Sequence, residues 1–289
     1  MQPLNGVHVC FKRKFNSTYM KKQAIAFGVL MLCVTLVQAQ TTETRNVNTF
    51  TKIAFRVPGK LYLRQGSTQK LEIEGKKDVL EKIETRVEGS RLVIEHEDEK
   101  FWRWGNDEKV NIYITVKDVE GLSVGGSGDL IGETKIVADD IDLNVSGSGN
   151  MRIEVEASGD MESDVSGSGN IDLRGKCKNF NSDVSGSGRV TLALNASGRA
   201  DFGVSGSGKI EASGVASNVK ANISGSGKVL AADLETNSCD VRITGSGDVE
   251  INVKNELNAN ITGSGSVRYK GNPNKVNSHS AGSGNVRKM

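Results

Sequence analysis

Apolar and polar residues alternate with period two around a recurring tripeptide, Gly-Ser-Gly, over the last two-thirds of the chain. Two positions before its first glycine stand Val145, Val165, Val184, Val204, Ile223, Ile243 and Ile261. Six positions before it stand Ile141, Met161, Phe180, Ala200, Val219, Cys239 and Leu257. Four positions after it stand Leu130, Met151, Ile171, Val190, Ile210, Val229, Val249 and Val267. The intervening places are polar: Asp142, Glu162, Asn181, Asp201 and Lys220 on one side, Asn150, Asn170, Arg189 and Lys209 on the other. Period two is the mark of a strand with one buried face, and a helix would repeat every three to four residues.

The copies of the tripeptide begin at Gly126, Gly147, Gly167, Gly186, Gly206, Gly225, Gly245, Gly263 and Gly282, so the spacing stays between 18 and 21 residues. A fixed period near twenty marks a solenoid, in which a single repeat cannot bury its own apolar face. The chain is therefore expected to be all-β, a parallel β-helix (β-solenoid) of short coils of about 20 residues. The right-handed sense is expected from the handedness of parallel crossovers. Stacked at roughly 4.8 Å per coil, nine coils make a rod about 40 Å long. Both glycines of the tripeptide fall in the inward register, which predicts a bend with no side chain inside. The serines fall in the outward register and predict hydroxyl ladders along one edge.

Residues 40–125 alternate in the same way but without the fixed period, as in Leu71-Glu72-Ile73-Glu74 and Val110-Asn111-Ile112-Tyr113-Ile114. One helical turn is expected near Asp78–Ile83. This segment is expected to form longer, irregular first coils that cap the rod, continuous with the regular repeats of 126–289, because an end coil exposes unpaired strand edges. At the other end Ser278, Ser280 and Lys288 take positions that are apolar in earlier coils, which blunts that edge.

Residues 1–39 stand apart. Lys21 and Lys22 precede an apolar run from Ala24 to Val37, and Val37-Gln38-Ala39 suits cleavage after Ala39. This is the form of a secretory signal peptide, with translation starting at Met20 if not Met1. The expected location is therefore the periplasm, the outer surface or the extracellular space, and the cleaved chain is not an integral membrane protein. The segment holds five Lys and Arg and no acidic residue, so its removal turns the net charge from +2 into −3. The remaining chain has no basic stripe for nucleic acid. Its two cysteines, Cys177 and Cys239, lie three coils apart, roughly 14 Å along the stack. That exceeds the separation of about 7 Å that a disulfide spans, so both are expected to be free thiols.

The export signal, the Leu122-Ser123-Val124-Gly125-Gly126-Ser127-Gly128 entry and the repeated Val-Ser-Gly-Ser-Gly-Asn core together resemble the putative auto-transporter adhesin, head GIN domain family of secreted bacterial proteins. The resemblance covers nearly all of the chain after residue 39. It implies a β-solenoid exported to the cell envelope and an adhesin-like role.

Candidate chemistry is sparse. The outward serines Ser148, Ser168, Ser187, Ser207 and Ser226 can present hydroxyls to a sugar or to ice, or can serve tight corners by bonding to nearby backbone. Trp102, Arg103 and Trp104 combine residue types common in binding hot spots, although tryptophans can equally close the end of a core. Asp142, Glu162, Asp164, Asp183 and Asp201 form an acidic strip, and Arg189, Lys209 and Lys228 a neighbouring basic run. The residue after each tripeptide drifts among Asp, Asn, Arg, Lys and Ser, unlike the fixed Asp of calcium-binding repeats. His96 and His279 are far apart in sequence, and no metal-ligand spacing or Ser-His-Asp set emerges. No cofactor is expected. The reading is a non-enzymatic, exported, adhesin-like rod whose partner is a glycan or an envelope or surface protein. Two other readings stay open: a structural, self-assembling envelope protein and a polysaccharide-active β-helix enzyme.

Overall fold

A computed structural model describes residues 40–97 and 110–289, and Gln40–Met289 form one compact unit. The fold is all-β, a β-solenoid of about eight coils of roughly 20 residues. Each regular coil is two strand runs joined at two corners. In the earlier coils the runs are separate strands: β8 (Gly121–Gly126) with β9 (Asp129–Gly132), β11 (Ile141–Gly147) with β12 (Asn150–Ala157), β13 (Asp160–Gly167) with β14 (Asn170–Cys177), and β15 (Asn179–Gly186). In β16 (Arg189–Gly206), β17 (Lys209–Gly225), β18 (Lys228–Gly245) and β19 (Asp248–Gly263) both runs form one long bent strand. The runs entering the tripeptide stack in parallel as face A, and those leaving it stack as face B. Equivalent residues lie opposite one another from coil to coil. Val145 pairs with Val165 and Val165 with Val184, each one coil on.

The alternating aliphatic columns point inward. Val145, Val165, Val184, Val204, Ile223 and Ile243 are all buried. Side-chain volumes compensate within a coil. Met161 shares its coil with buried Ser163, Phe180 with Ser182, and Phe202 with Ala200. In these three coils a large residue is set against a small one, as close packing of a narrow core requires. Phe180 and Phe202 meet edge-to-face with ring centroids 6.3 Å apart. Ser163 and Ser182 satisfy each other, the Ser163 hydroxyl donating to the Ser182 oxygen at 2.9 Å. A further column of small residues, Cys177, Ala196, Ala216 and Thr236, lines the second corner. Cys177 and Cys239 are buried free thiols.

The two glycines of the tripeptide do different jobs, and only the second faces inward. The first is exposed or half-exposed and takes the left-handed backbone region, with φ of 111° at Gly147, 110° at Gly167 and 109° at Gly206. Its inward place in the strand register is lost because the chain turns there. A Cβ on Gly206 would also sit 2.7 Å from the Gly186 carbonyl oxygen of the preceding coil. The second glycine is buried and receives the valine of the preceding coil. A Cβ on Gly188 would lie 2.4 Å from Val165 Cγ1 and 2.6 Å from the Gly169 carbonyl oxygen.

The N-terminal segment does not stack in chain order. The rung made by β2 (Lys52–Phe55) and β3 (Gly59–Gln65) lies between two others. On one side are β8 and β9, and on the other β6 (Arg91–His96) and β7 (Val110–Val116). The chain therefore lays its second rung first, returns to build the rung beneath it, and then crosses to the third. Antiparallel strands close that end: β1 (Thr41–Thr44) and β7 flank β4 (Lys70–Gly75), and β5 (Ile83–Glu88) pairs with β6. A helical turn at Lys77–Leu80 buries Val79 and Leu80. Arg45 ties the cap together, donating from Nη2 to the Leu80 carbonyl at 2.8 Å and from Nη1 to the Ile83 carbonyl. At the other end β21 (Lys275–Gly282) is exposed along its whole length, yet Leu257 and Ile261 of the coil it covers stay buried.

The contact between second glycine and valine predicts that Gly188→Ala lowers the unfolding free energy by about 2–3 kcal/mol, the cost of overpacking a filled core. Adding Val165→Ala should not restore it, because the Gly169 carbonyl remains in the way. Urea denaturation of the single and double variants measures both. In the Ser163–Ser182 pair, Ser182→Ala alone is expected to cost about 1–2 kcal/mol by leaving one buried hydroxyl unpaired. Ser163→Ala in that background should cost less than it does alone, and a double-mutant cycle reads the difference.

Candidate functional site

The first corner, at the tripeptide, carries a double rank of hydroxyls. One rank is Ser146, Ser166, Ser185, Ser205 and Ser224, continued by Thr244 and Thr262, and the other is Ser148, Ser168, Ser187, Ser207 and Ser226. All are exposed. The backbone beneath them is fixed by a ladder from coil to coil. The Ser168 amide donates to the Gly147 carbonyl at 2.8 Å, Ser187 to Gly167 at 2.8 Å and Ser207 to Gly186 at 2.9 Å. The hydroxyls themselves make no hydrogen bond within the described residues, so they are not spent on local turn bonding. The corner is a continuous ridge of unengaged hydroxyls in register from coil to coil, repeating at the strand spacing of roughly 4.8 Å.

The acidic strip lies on the outer side of face A. Asp142, Glu162 and Asn181 are opposite one another on successive coils, and Asp164 faces Asp183. Burial is the main reason that the Asp164 carboxyl is pushed up to about 6, with Glu162 and Asp183 adding to it. Its Oδ1 and that of Asp201 are buried without a hydrogen-bond partner. The basic run is not beside this strip. Arg189, Lys209 and Lys228 stack on face B, around the tripeptide corner, where Lys209 pairs with Glu211 at 2.5 Å and Lys228 with Asp248 at 2.9 Å. Face B is balanced by such pairs, whereas the acidic residues of face A have few: Arg199 meets Asp201 at 2.9 Å. Among the described residues, no group of three or more His, Cys, Asp or Glu is arranged to hold a metal. Trp102, Arg103 and Trp104 lie outside the described residues.

The second corner holds a feature with no signal in the sequence. Where the cap meets the regular coils, a groove of about 950 Å³ is lined by Lys52 and Glu120 of the cap, by Asp139, Asp140 and Glu156 at the second corner of the first regular coils, and by Cys177. Lys176 reaches across its rim to Glu156 at 3.1 Å. Burial holds the Cys177 thiol up to about 11, so it is protonated and poorly nucleophilic at neutral pH. Lys52 enters this lining because the second rung is laid first, so that β2 stacks on β8 and β8 on β11. Periodicity along the chain carries no trace of that order.

The model of the family described as "Putative auto-transporter adhesin, head GIN domain" matches residues 49–197 and 183–273. The chain belongs to this family. No curated protein matches it. Solved structures of similar fold include an adhesin, named as putative, from Parabacteroides distasonis, with TM-score 0.69, 19% identity and coverage of 88% of this chain and 98% of that one. A protein from the same organism, named as a putative lipid binding protein, has TM-score 0.66, 22% identity and the same coverage. Another putative adhesin, from Parabacteroides merdae, has TM-score 0.60, 19% identity, and covers 88% of this chain and 97% of its own. At these identities the likeness establishes the head GIN solenoid fold. Among the described residues no helix is long and apolar enough to cross a membrane.

Asp164 makes the acidic face of this head GIN domain sensitive to pH. A carboxyl held near 6 in the folded chain binds its proton more tightly than in the unfolded chain, where it titrates near the ordinary 3.8. The stability it contributes is therefore whole below that ordinary value and declines as pH rises toward 6. Asp164→Asn is expected to raise the melting temperature at pH 7, to leave it unchanged at pH 3.5 and to flatten the decline between, as thermal melts across that range would show.

Proposed function

We propose that this head GIN domain protein is exported and acts without catalysis as an adhesin, its hydroxyl ridge contacting a glycan or another surface ligand. The family assignment supports an adhesin-like role. The observation that carries the proposal is the double rank of exposed serines, which make no bond to their own chain and are held by a hydrogen-bonded backbone. A hydroxyl that is already ordered and already unpaired loses little freedom on meeting a ligand, and such preorganisation favours binding. Hydroxyl groups both donate and accept, so the ridge matches the sugar hydroxyls of a polysaccharide better than it matches an apolar surface. Export rests on the basic and apolar pattern of residues 1–39, with cleavage after Ala39.

The test is a glycan and matrix-protein array probed with residues 40–289. Binding is expected for the natural sequence. The triple change Ser187→Ala, Ser207→Ala and Ser226→Ala should lower it at least tenfold with the melting temperature nearly unchanged, since exposed substitutions of this kind shift stability by less than about 0.5 kcal/mol each. Undiminished binding by the triple variant would remove the ridge from the proposal. N-terminal sequencing of protein recovered from the source cells should begin at Gln40, and a chain still starting at Met1 or Met20 would contradict export by cleavage.

A further inference from the structure

The outer column of face A runs Asn144, Asp164, Asp183, Gly203, Asn222, Arg242 and Asn260 through successive coils. Gly203 alone in that run lacks a side chain. Its φ is not in the left-handed region, so the backbone does not require glycine there. The missing side chain opens a pit of about 510 Å³ lined by Asp183, Ser205, Lys220, Asn222 and Arg242. Asp183 leans over it, since a Cβ on Gly203 would meet Asp183 Oδ1 at 1.9 Å. The pit continues into a hollow of about 460 Å³ that shares Lys220, Asn222 and Arg242 and adds Asp240, His279 and the amides of Asn258 and Asn260.

The two cations at this pit are unengaged. Neither Lys220 nor Arg242 makes an ion pair or a hydrogen bond within the described residues, although Asp201 and Asp240 flank Lys220 in register. Those acids are held elsewhere. Arg199 meets Asp201 at 2.9 Å, and the Asn258 amide donates to Asp240 at 2.9 Å. Asp183 also has a partner, accepting from Asn181 Nδ2 at 3.2 Å. Two positive heads that make no ion pair, an acceptor carboxylate on the opposite wall and amides that both donate and accept make a mixed lining. It matches a ring bearing several hydroxyls and one negative charge.

We infer that the Gly203 pit binds a carboxylated sugar residue of a glycan. The ligand carboxylate lies between Lys220 and Arg242, whose guanidinium can grip it with two parallel hydrogen bonds. The sugar hydroxyls donate to Asp183 and exchange hydrogen bonds with Asn222 and Ser205. This deepens the adhesin reading and rests on it. Ser205 belongs to the ridge, so a chain seated in the pit passes directly onto the hydroxyl rank, and the adjoining hollow receives the next sugar.

Isothermal titration of residues 40–289 with an oligogalacturonate, its methyl ester and a sulfated dextran tests the inference. The oligogalacturonate is expected to bind, the methyl ester to lose at least tenfold in affinity, and binding to weaken between 50 mM and 500 mM salt as exposed charge contacts do. Arg242→Ala should lower affinity at least tenfold, with partial retention in Arg242→Lys. Gly203→Asn should fill the pit and abolish binding while the melting temperature confirms a folded chain. Tight binding of sulfated dextran with none of the uronate overturns the carboxylate assignment. Uronate binding indifferent to Arg242→Ala and Gly203→Asn overturns the pit and leaves the adhesin reading standing. Absence of binding to any glycan or surface on the array overturns both.

Discussion

Every regular coil depends on one contact, the approach of backbone to backbone at the Gly-Ser-Gly corner. The first glycine turns the chain through a conformation closed to other residues, directly above the same glycine of the coil before. The second leaves the space into which the preceding valine places a methyl group. Neither job tolerates a Cβ, and only one serine separates the two, so the corner is fixed in both shape and register. Once it is set, the strands on either side inherit their pairing and the period-two alternation sends the aliphatic residues inward. A one-residue slip would put valines outside and serines in the core.

Because glycines and aliphatic columns carry the fold, the outward positions are free to vary. Their charge shows it. The same outer column is Asp, Asp, Gly, Asn and Arg on successive coils without changing the strand beneath. Face B uses that freedom for charge pairing along and between coils. Face A does so little, and concentrates like charges at one end while leaving cations unengaged toward the other. A carboxyl half-buried at Asp164, with Glu162 and Asp183 stacked beside it, costs stability, and its raised titration registers first the burial and then the like charges. A face that keeps such a cost while its neighbour removes it is the better place to look for binding.

The regular coils were legible because their signal is local and repeated. Val165 and Val184 sit nineteen residues apart and perform the same task, so their burial follows from the repeat. The tripeptide was legible as a bend but not in its division of labour, since strand register cannot describe a residue where the strand turns. The cap was legible as strands only. Alternation in Leu61-Tyr62-Leu63 and in Ile112-Tyr113-Ile114 says that one side is buried. It does not say that these strands are neighbours, with Tyr62 and Tyr113 stacked at 5.2 Å. Chain order pointed to sequential coils, and the observed crossing back is a long-range choice made by packing.

The Gly203 position illustrates the limit from the other direction. In the sequence it is one glycine among 34, three residues before a tripeptide in which glycine is obligatory, and it invites the same explanation. Its backbone is not left-handed, and the nearest atom to a Cβ there is a side-chain carboxylate oxygen, whereas at the corners it is a backbone carbonyl or a core methyl. Asp183 could swing aside for a larger residue at little cost, because its Asn181 partner is exposed as well. Folding therefore gives no reason for glycine at this place. What the glycine does produce is the one break in a column of side chains, beside two cations whose potential partners are bound elsewhere. A residue that costs the fold nothing to replace, and that opens a lined pit when left small, is accounted for by what the pit can hold.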